Sequence, residues 1–161
     1  MPHHCQGPPG AHDPEPNGQT ATVPPTVDQI HEALGGLLDR RDPTGSSTVL
    51  GAGSDDLEAG RRFLESLVEG GWMVPTWPAR HGGRDADAGE AALIDSAMAY
   101  YDVADLYPYG VGLNLVGPVL LDRGTPEQQD RWLRPIADGS EIWCQMFSEP
   151  DAGSDLANAG M

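Results

Sequence analysis

The residues best suited to chemistry stand near the C-terminal end, in the run Phe147-Ser148-Glu149-Pro150-Asp151-Ala152-Gly153-Ser154-Asp155-Leu156-Ala157. A strand that ends in a hydroxyl and feeds a proline-stiffened loop with a Gly-Ser pair suits close approach of backbone to an anionic ligand. Gly153 offers an N–H that no Cβ shields. Ser154 adds a hydroxyl donor beside its own N–H, a small nest for phosphate. Asp, Gly and Ser also dominate ordinary hairpin turns, so spacing alone leaves an anion site and a plain turn both open.

Other reactive side chains have simpler readings. Glu149 is available as a general base, but proton abstraction depends on geometry first, and the residue reads as structural. His81, in the loop Arg80-His81-Gly82, reads as a solvated histidine. His3, His4, Cys5 and His12 are of metal-ligating type, yet their spacing fits no closed zinc pattern and no second cluster follows. No metal site is assigned. Gly51-Ala52-Gly53 reads as a linker, because no strand precedes it as a dinucleotide fingerprint requires. Trp72, Trp77, Trp132 and Trp143 read as core anchors rather than stacking platforms.

These residues need elements to position them, and composition bounds what those can be. The chain has 161 residues, 25 acidic against 9 basic, all nine being Arg, and a formal charge of -16. Such a surplus counts against a nucleic-acid footprint. Two Cys cannot make a disulfide scaffold. No basic segment leads into an apolar one at the N-terminus, so no secretory signal is expected. No apolar run approaches the roughly 18 residues of a membrane span, and a cytoplasmic protein is the expectation. Residues 1–25 hold seven Pro and little aliphatic surface, which predicts a mobile tail.

Order is expected from Thr26. Thr26 and Gln29 have capping-box spacing, and Val27, Ile30, Leu34, Leu37 and Leu38 make one apolar stripe of a helix that Asp42-Pro43 ends. After a Gly/Ser-rich link, a second helix starts near Ser54, buries Leu57, Leu64, Leu67 and Val68, and stops at Gly70-Gly71. The Pro-rich piece 72–83 predicts an ordered loop. A third helix is expected over roughly 86–103, with Ala91, Ile94, Met98 and Tyr101 inward. A fourth is expected within 107–121, carrying Leu113, Val116, Leu120 and Leu121, with Pro118 forcing a kink or a late start. Thr125-Pro126-Glu127-Gln128 caps a fifth, which turns Trp132, Leu133 and Ile136 inward. From Glu141 to Ser148 the pattern reads as a strand.

The run Ser148-Glu149-Pro150-x-Ala152-Gly153-Ser154-Asp155 closely resembles the central motif of the acyl-CoA dehydrogenase family of flavoproteins. Gly71-Trp72, Pro75, Trp77-Pro78 and Gly82-Gly83 resemble that family in the same order. So do Gly124-Thr125-x-Glu127-Gln128 and Trp132-Leu133-x-Pro135-Ile136-x-x-Gly139. The resemblance runs from about Thr26 to Met161. It implies a mainly α fold: a tail over 1–25, the N-terminal helical domain over 26–139, and over 140–161 the first strand of an incomplete β-barrel domain.

The resemblance also implies a function. Family members abstract the α-proton of an acyl-CoA thioester with a carboxylate of the C-terminal domain, pass the β-hydrogen as hydride to the N5 of FAD, and hand electrons to an electron-transfer flavoprotein. Carried over by position, Gln145, Phe147 and Ser148 would lie along the flavin ring. Gly153 and Ser154 would sit by the pyrophosphate, with Ser154 also near the acyl-CoA path, and Asp155 would fix the loop. No catalytic base is expected in this chain. Asp151 stands where the family commonly has Gly, and a carboxylate there is unfavourable beside a diphosphate unless it points to solvent. The reading is thus the N-terminal part of an acyl-CoA dehydrogenase-like enzyme of lipid metabolism, inactive alone and homo-oligomeric at full length. The alternatives are a fragment of an acyl-CoA oxidase-type enzyme, and a non-catalytic remnant or helical module that binds a partner through its apolar faces.

Overall fold

The computed structural model of the chain describes residues 24–43 and 56–146. Within them five α-helices follow in order: α1 (Val27–Gly35), α2 (Leu57–Val68), α3 (Ala88–Met98), α4 (Gly117–Arg123) and α5 (Pro126–Ala137). The first 23 residues, the link 44–55 and the loop from Phe147 onward lie outside the described residues.

Local chemistry starts α1 and α5 as the sequence predicts. The Thr26 hydroxyl accepts the Gln29 N–H at 3.3 Å while the Gln29 side chain accepts the Thr26 N–H at 2.8 Å. Thr125 and Gln128 repeat this at α5, with Pro126 at the first position, where its missing N–H costs nothing. Asp56 and Asp87 cap α2 and α3 through the N–H groups of Ala59 and Glu90.

α2 organises the rest because it is apolar on two sides. Leu64 and Val68 join Val74, Trp77, Tyr109, Leu113, Leu133 and Ile136 in one core. Phe63 and Leu67 join Ile30, Leu34, Ile94, Ala97 and Tyr101 in the other. Gly60 lets Tyr109 lie against α2: an added Cβ would stand 2.6 Å from the ring. The Tyr109 hydroxyl then donates to the Leu57 carbonyl at 2.7 Å. Gly71, at φ +63°, ends the approach to the loop that follows.

Several boundaries differ from the sequence expectation, each for a tertiary reason. α1 stops at Gly35, not near Asp42, and Leu37 is left exposed; two successive glycines weaken the helix there. Leu57, expected on the buried face of α2, is also exposed, since it opens the first turn beyond the core. α3 runs from Ala88 to Met98 rather than 86–103. Beyond it the Tyr100 carbonyl accepts from Arg41 N and Asp102 N donates to the Asp39 carbonyl, so this backbone pairs with the segment after α1. The stretch 107–123 is not one helix. It is a 3-10 turn (Tyr107–Tyr109), a π-helical turn (Gly112–Val116) and then α4. Pro118 has no N–H to give to Asn114, and the ladder shifts, with Gly117 N–H reaching back to Gly112. The late start is the outcome of the two that Pro118 left open.

Residues 141–146 form no ladder among the described residues. A strand needs a partner for its N–H and C=O rows, and neither 24–43 nor 56–140 supplies one.

Candidate functional site

Two stretches of the chain, 103–115 and 143–145, wall one open groove of about 1070 Å³. One wall comes from the segment after α3, including Val103 and Leu106. The second comes from the turns before α4, with Tyr107, Val111, Asn114 and Leu115. Trp143, Cys144 and Gln145 form the third. Val103, Tyr107 and Leu115 are exposed aliphatic and aromatic side chains here, an unusual concentration for a free surface.

Trp143 is fixed to the helical body by aromatic packing. Its ring meets Trp132 of α5 edge-on at 5.3 Å, and the Arg131 guanidinium lies 4.0 Å over Trp132. Arg131 also pairs with Glu141 at 3.1 Å. Together these hold the start of segment 141–146 against α5. The Trp143 Nε1–H is buried without an acceptor. Trp72, Trp77 and Trp132 pack in or against the two cores, as read from the sequence.

Of the residues assigned to flavin, Gln145 is described: its amide is exposed on the groove wall. Phe147, Ser148, Gly153 and Ser154, with Glu149, Asp151 and Asp155, lie outside the described residues, as do His3, His4, Cys5 and His12. Among the described residues no cluster of His, Cys, Asp and Glu could hold a metal ion, and no helix is long and apolar enough to cross a membrane. Cys144 is a free, exposed thiol.

His81 corrects the sequence reading. It is buried, with 2% of its surface exposed, because the 3-10 turn Ala79–His81 packs against α5. Its Nε2 lacks a hydrogen bond and lies 3.7 Å from an Asp130 carboxylate oxygen. Burial pushes the imidazole below its ordinary value, the Arg80 charge adds to that, and Asp130 opposes it. Burial likewise holds the Tyr109 phenol above its usual value.

Sequence reasoning missed the groove. Its members come from stretches some 30 residues apart, and the one local sign was Pro118, which displaces the helical ladder beside it.

The described residues thus form a helical domain with an apolar groove beside its C-terminal segment. Residues 52–140 match the family "Acyl-CoA dehydrogenase, N-terminal domain", and the chain belongs to that family. It is 41% identical over 101 residues to acyl-CoA dehydrogenase IpdE1 of Mycolicibacterium smegmatis, covering 63% of this chain and 26% of that protein. It is 42% identical over 95 residues to acyl-CoA dehydrogenase FadE34 of Mycobacterium tuberculosis, covering 58% of this chain and 13% of the relative. Among solved structures it resembles the Tcur3481-Tcur3483 steroid ACAD, with a TM-score of 0.51 and 26% identity over 83% of this chain and 33% of that one. The chain thus spans about a quarter, or less, of the length of these curated relatives.

Proposed function

We propose that the chain is the N-terminal part of an FAD-dependent acyl-CoA dehydrogenase, in which the groove takes the acyl group of a CoA thioester. One observation carries this: Gln145, one of three residues that the family resemblance assigns to the flavin ring, lies on the wall of the same groove. Acyl group and flavin must meet for α,β-dehydrogenation, and the position of Gln145 on the groove wall supports such a meeting.

The exposed Gln145 amide beside an apolar wall fits the polar edge of a flavin ring. Phe147 and Ser148 would extend that surface, and Gly153 and Ser154 would take the pyrophosphate, with Ser154 also lining the acyl-CoA path. Bound FAD supplies the hydride acceptor. Val103, Leu106, Val111 and Leu115 exclude water from the acyl group and orient it. The α-proton goes to a carboxylate of a further domain, and the product is the α,β-unsaturated thioester. No residue of this chain is assigned as the base. Electron-transfer flavoprotein as acceptor, a homo-oligomeric full-length enzyme and a cytoplasmic setting belong to the same reading. The steroid enzyme among the structural neighbours, and a groove at the upper end of small-molecule sites, support a bulky acyl group.

A chimera tests the proposal. Residues 56–146 replace their counterpart in IpdE1 of M. smegmatis, and flavin content and acyl-CoA-dependent reduction of a dye are measured. A folded chimera that retains FAD and oxidises an acyl-CoA supports the reading; one that holds no flavin, or oxidises none, refutes it. The exposed Leu93 and Tyr100 favour a second reading, an interaction module, and that predicts the flavin-free result.

A further inference from the structure

Among the described residues, Asp105 is the one charged residue on the lining of the groove. The chain has no Lys, and none of its nine Arg, all of which are described, lies on that lining. Arg131, on the α5 side of Trp143, is taken up by Glu141 at 3.1 Å and by the face of Trp132.

The Asp105 carboxylate is held in place from two directions. One of its oxygens accepts the Tyr107 N–H at 3.0 Å, at the start of the 3-10 turn Tyr107–Tyr109. Its backbone rests on α2, where the Asp105 carbonyl oxygen would stand 3.5 Å from a Cβ added at Gly60. The side chain is half-buried, and its neighbours on the wall, Ala104 and Leu106, are apolar.

A lone carboxylate in such a wall has a consequence for the occupant. An acyl tail ending in a second carboxylate would bring a like charge beside Asp105, with no lining cation to offset it, and would give up water as it entered. A neutral tail meets no such repulsion. Specificity often rests on a repulsive element of this kind.

We propose that Asp105 is a specificity-determining residue that excludes acyl groups bearing a second carboxylate, so that the groove takes thioesters of monocarboxylic acids. This rests on the acyl reading of the groove. For like charges about 6 Å apart, repulsion corresponds to about three-fold in affinity in bulk water and about a hundred-fold at the effective dielectric of a protein surface. An open groove lies between these limits.

The test uses the 161-residue chain in low-salt buffer, where screening is weak. The two probes are N-acetylcysteamine thioesters of equal length: the half-thioester of adipic acid, with a free carboxylate at its far end, and that of adipamic acid, its neutral amide. Affinities are read by NMR titration in the wild type, in Asp105→Asn and in Glu32→Gln. Asn keeps an oxygen for the Tyr107 N–H. Glu32 is an exposed carboxylate on α1, off the groove lining, and its loss changes the overall charge equally. The wild type should bind the amide about ten-fold tighter than the carboxylate. Asp105→Asn should tighten binding of the carboxylate probe and bring the ratio close to one, whereas Glu32→Gln should keep the preference. Equal binding of both probes by the wild type overturns the proposal and leaves the acyl reading standing. A preference that survives in Asp105→Asn, or one that Glu32→Gln reduces as far, overturns it too. Binding of neither probe overturns it together with the acyl reading.

Discussion

Replacing Gly60 by Ala sets two effects of opposite sign against each other. Inside a helix such as α2, Ala is favoured over Gly by about 1 kcal/mol. The new Cβ, however, would stand 2.6 Å from Cε2 and 3.3 Å from Cδ2 of Tyr109. Carbon contacts relax near 3.5 to 4 Å, so about 1 Å of movement is required. The ring cannot simply swing away. It is 3% exposed, and its hydroxyl is tied to the Leu57 carbonyl at 2.7 Å. Overpacking of this kind costs about 1–3 kcal/mol, and a lost phenol hydrogen bond adds about 1 kcal/mol. The net expectation is a destabilisation of about 1–3 kcal/mol, a fall in urea midpoint of roughly 0.5–1.5 M. Urea titration followed by far-UV circular dichroism measures it. Tyr109→Leu in the same chain should relieve the clash, so that Gly60→Ala then costs nothing or stabilises. Gly36→Ala is the control, because that residue has helical dihedrals and its nearest neighbour would be the Ala33 carbonyl oxygen at 3.5 Å; it should stabilise by about 0.4–1 kcal/mol. Should Gly60→Ala stabilise as Gly36→Ala does, the packing of Tyr109 on α2 is refuted, and with it the support beneath the groove turn Tyr107–Tyr109.

Three further outcomes follow from other parts of the structure. His81 has a folded value held below its unfolded one, so the stability it confers is whole above about pH 6.5 and is lost as pH falls through the lowered value; His81→Phe should flatten thermal stability between neutral and mildly acid pH, and an unchanged slope would refute the burial. Thr125→Ala removes the hydroxyl that accepts Gln128 N–H and should cost about 0.5–2 kcal/mol in urea titration, and an unchanged midpoint would refute the cap. The isolated chain, mixed with FAD and passed through a desalting column, should emerge with little flavin, and a retained, quenched, stoichiometric yellow band would overturn that expectation.

What could be read from the sequence was what a few neighbouring residues decide. The two capping boxes need only Thr26 with Gln29 and Thr125 with Gln128, and both formed. Ile30, Leu34, Leu64, Leu67, Leu133 and Ile136 lie at helical spacing, and all are buried. What distant residues decide could not be read. The end of α3 is set by backbone pairing with Asp39 and Arg41, some 60 residues earlier in the chain. The burial of His81 depends on α5, and nothing in Arg80-His81-Gly82 announces it.

The candidate site divides along the same line. Gln145 was legible through the family resemblance, standing three residues before the motif that begins at Ser148. Asn114 was not, because nothing adjacent to it marks a groove; its place follows from a shifted ladder before Pro118 and from Trp143 packing against Trp132. Residues that meet an invariant cofactor must keep their order along one loop. The groove wall comes instead from the turns between α3 and α4 and from residues 143–145. In this chain Asn114 and Gln145 stand 31 positions apart on the walls of one groove.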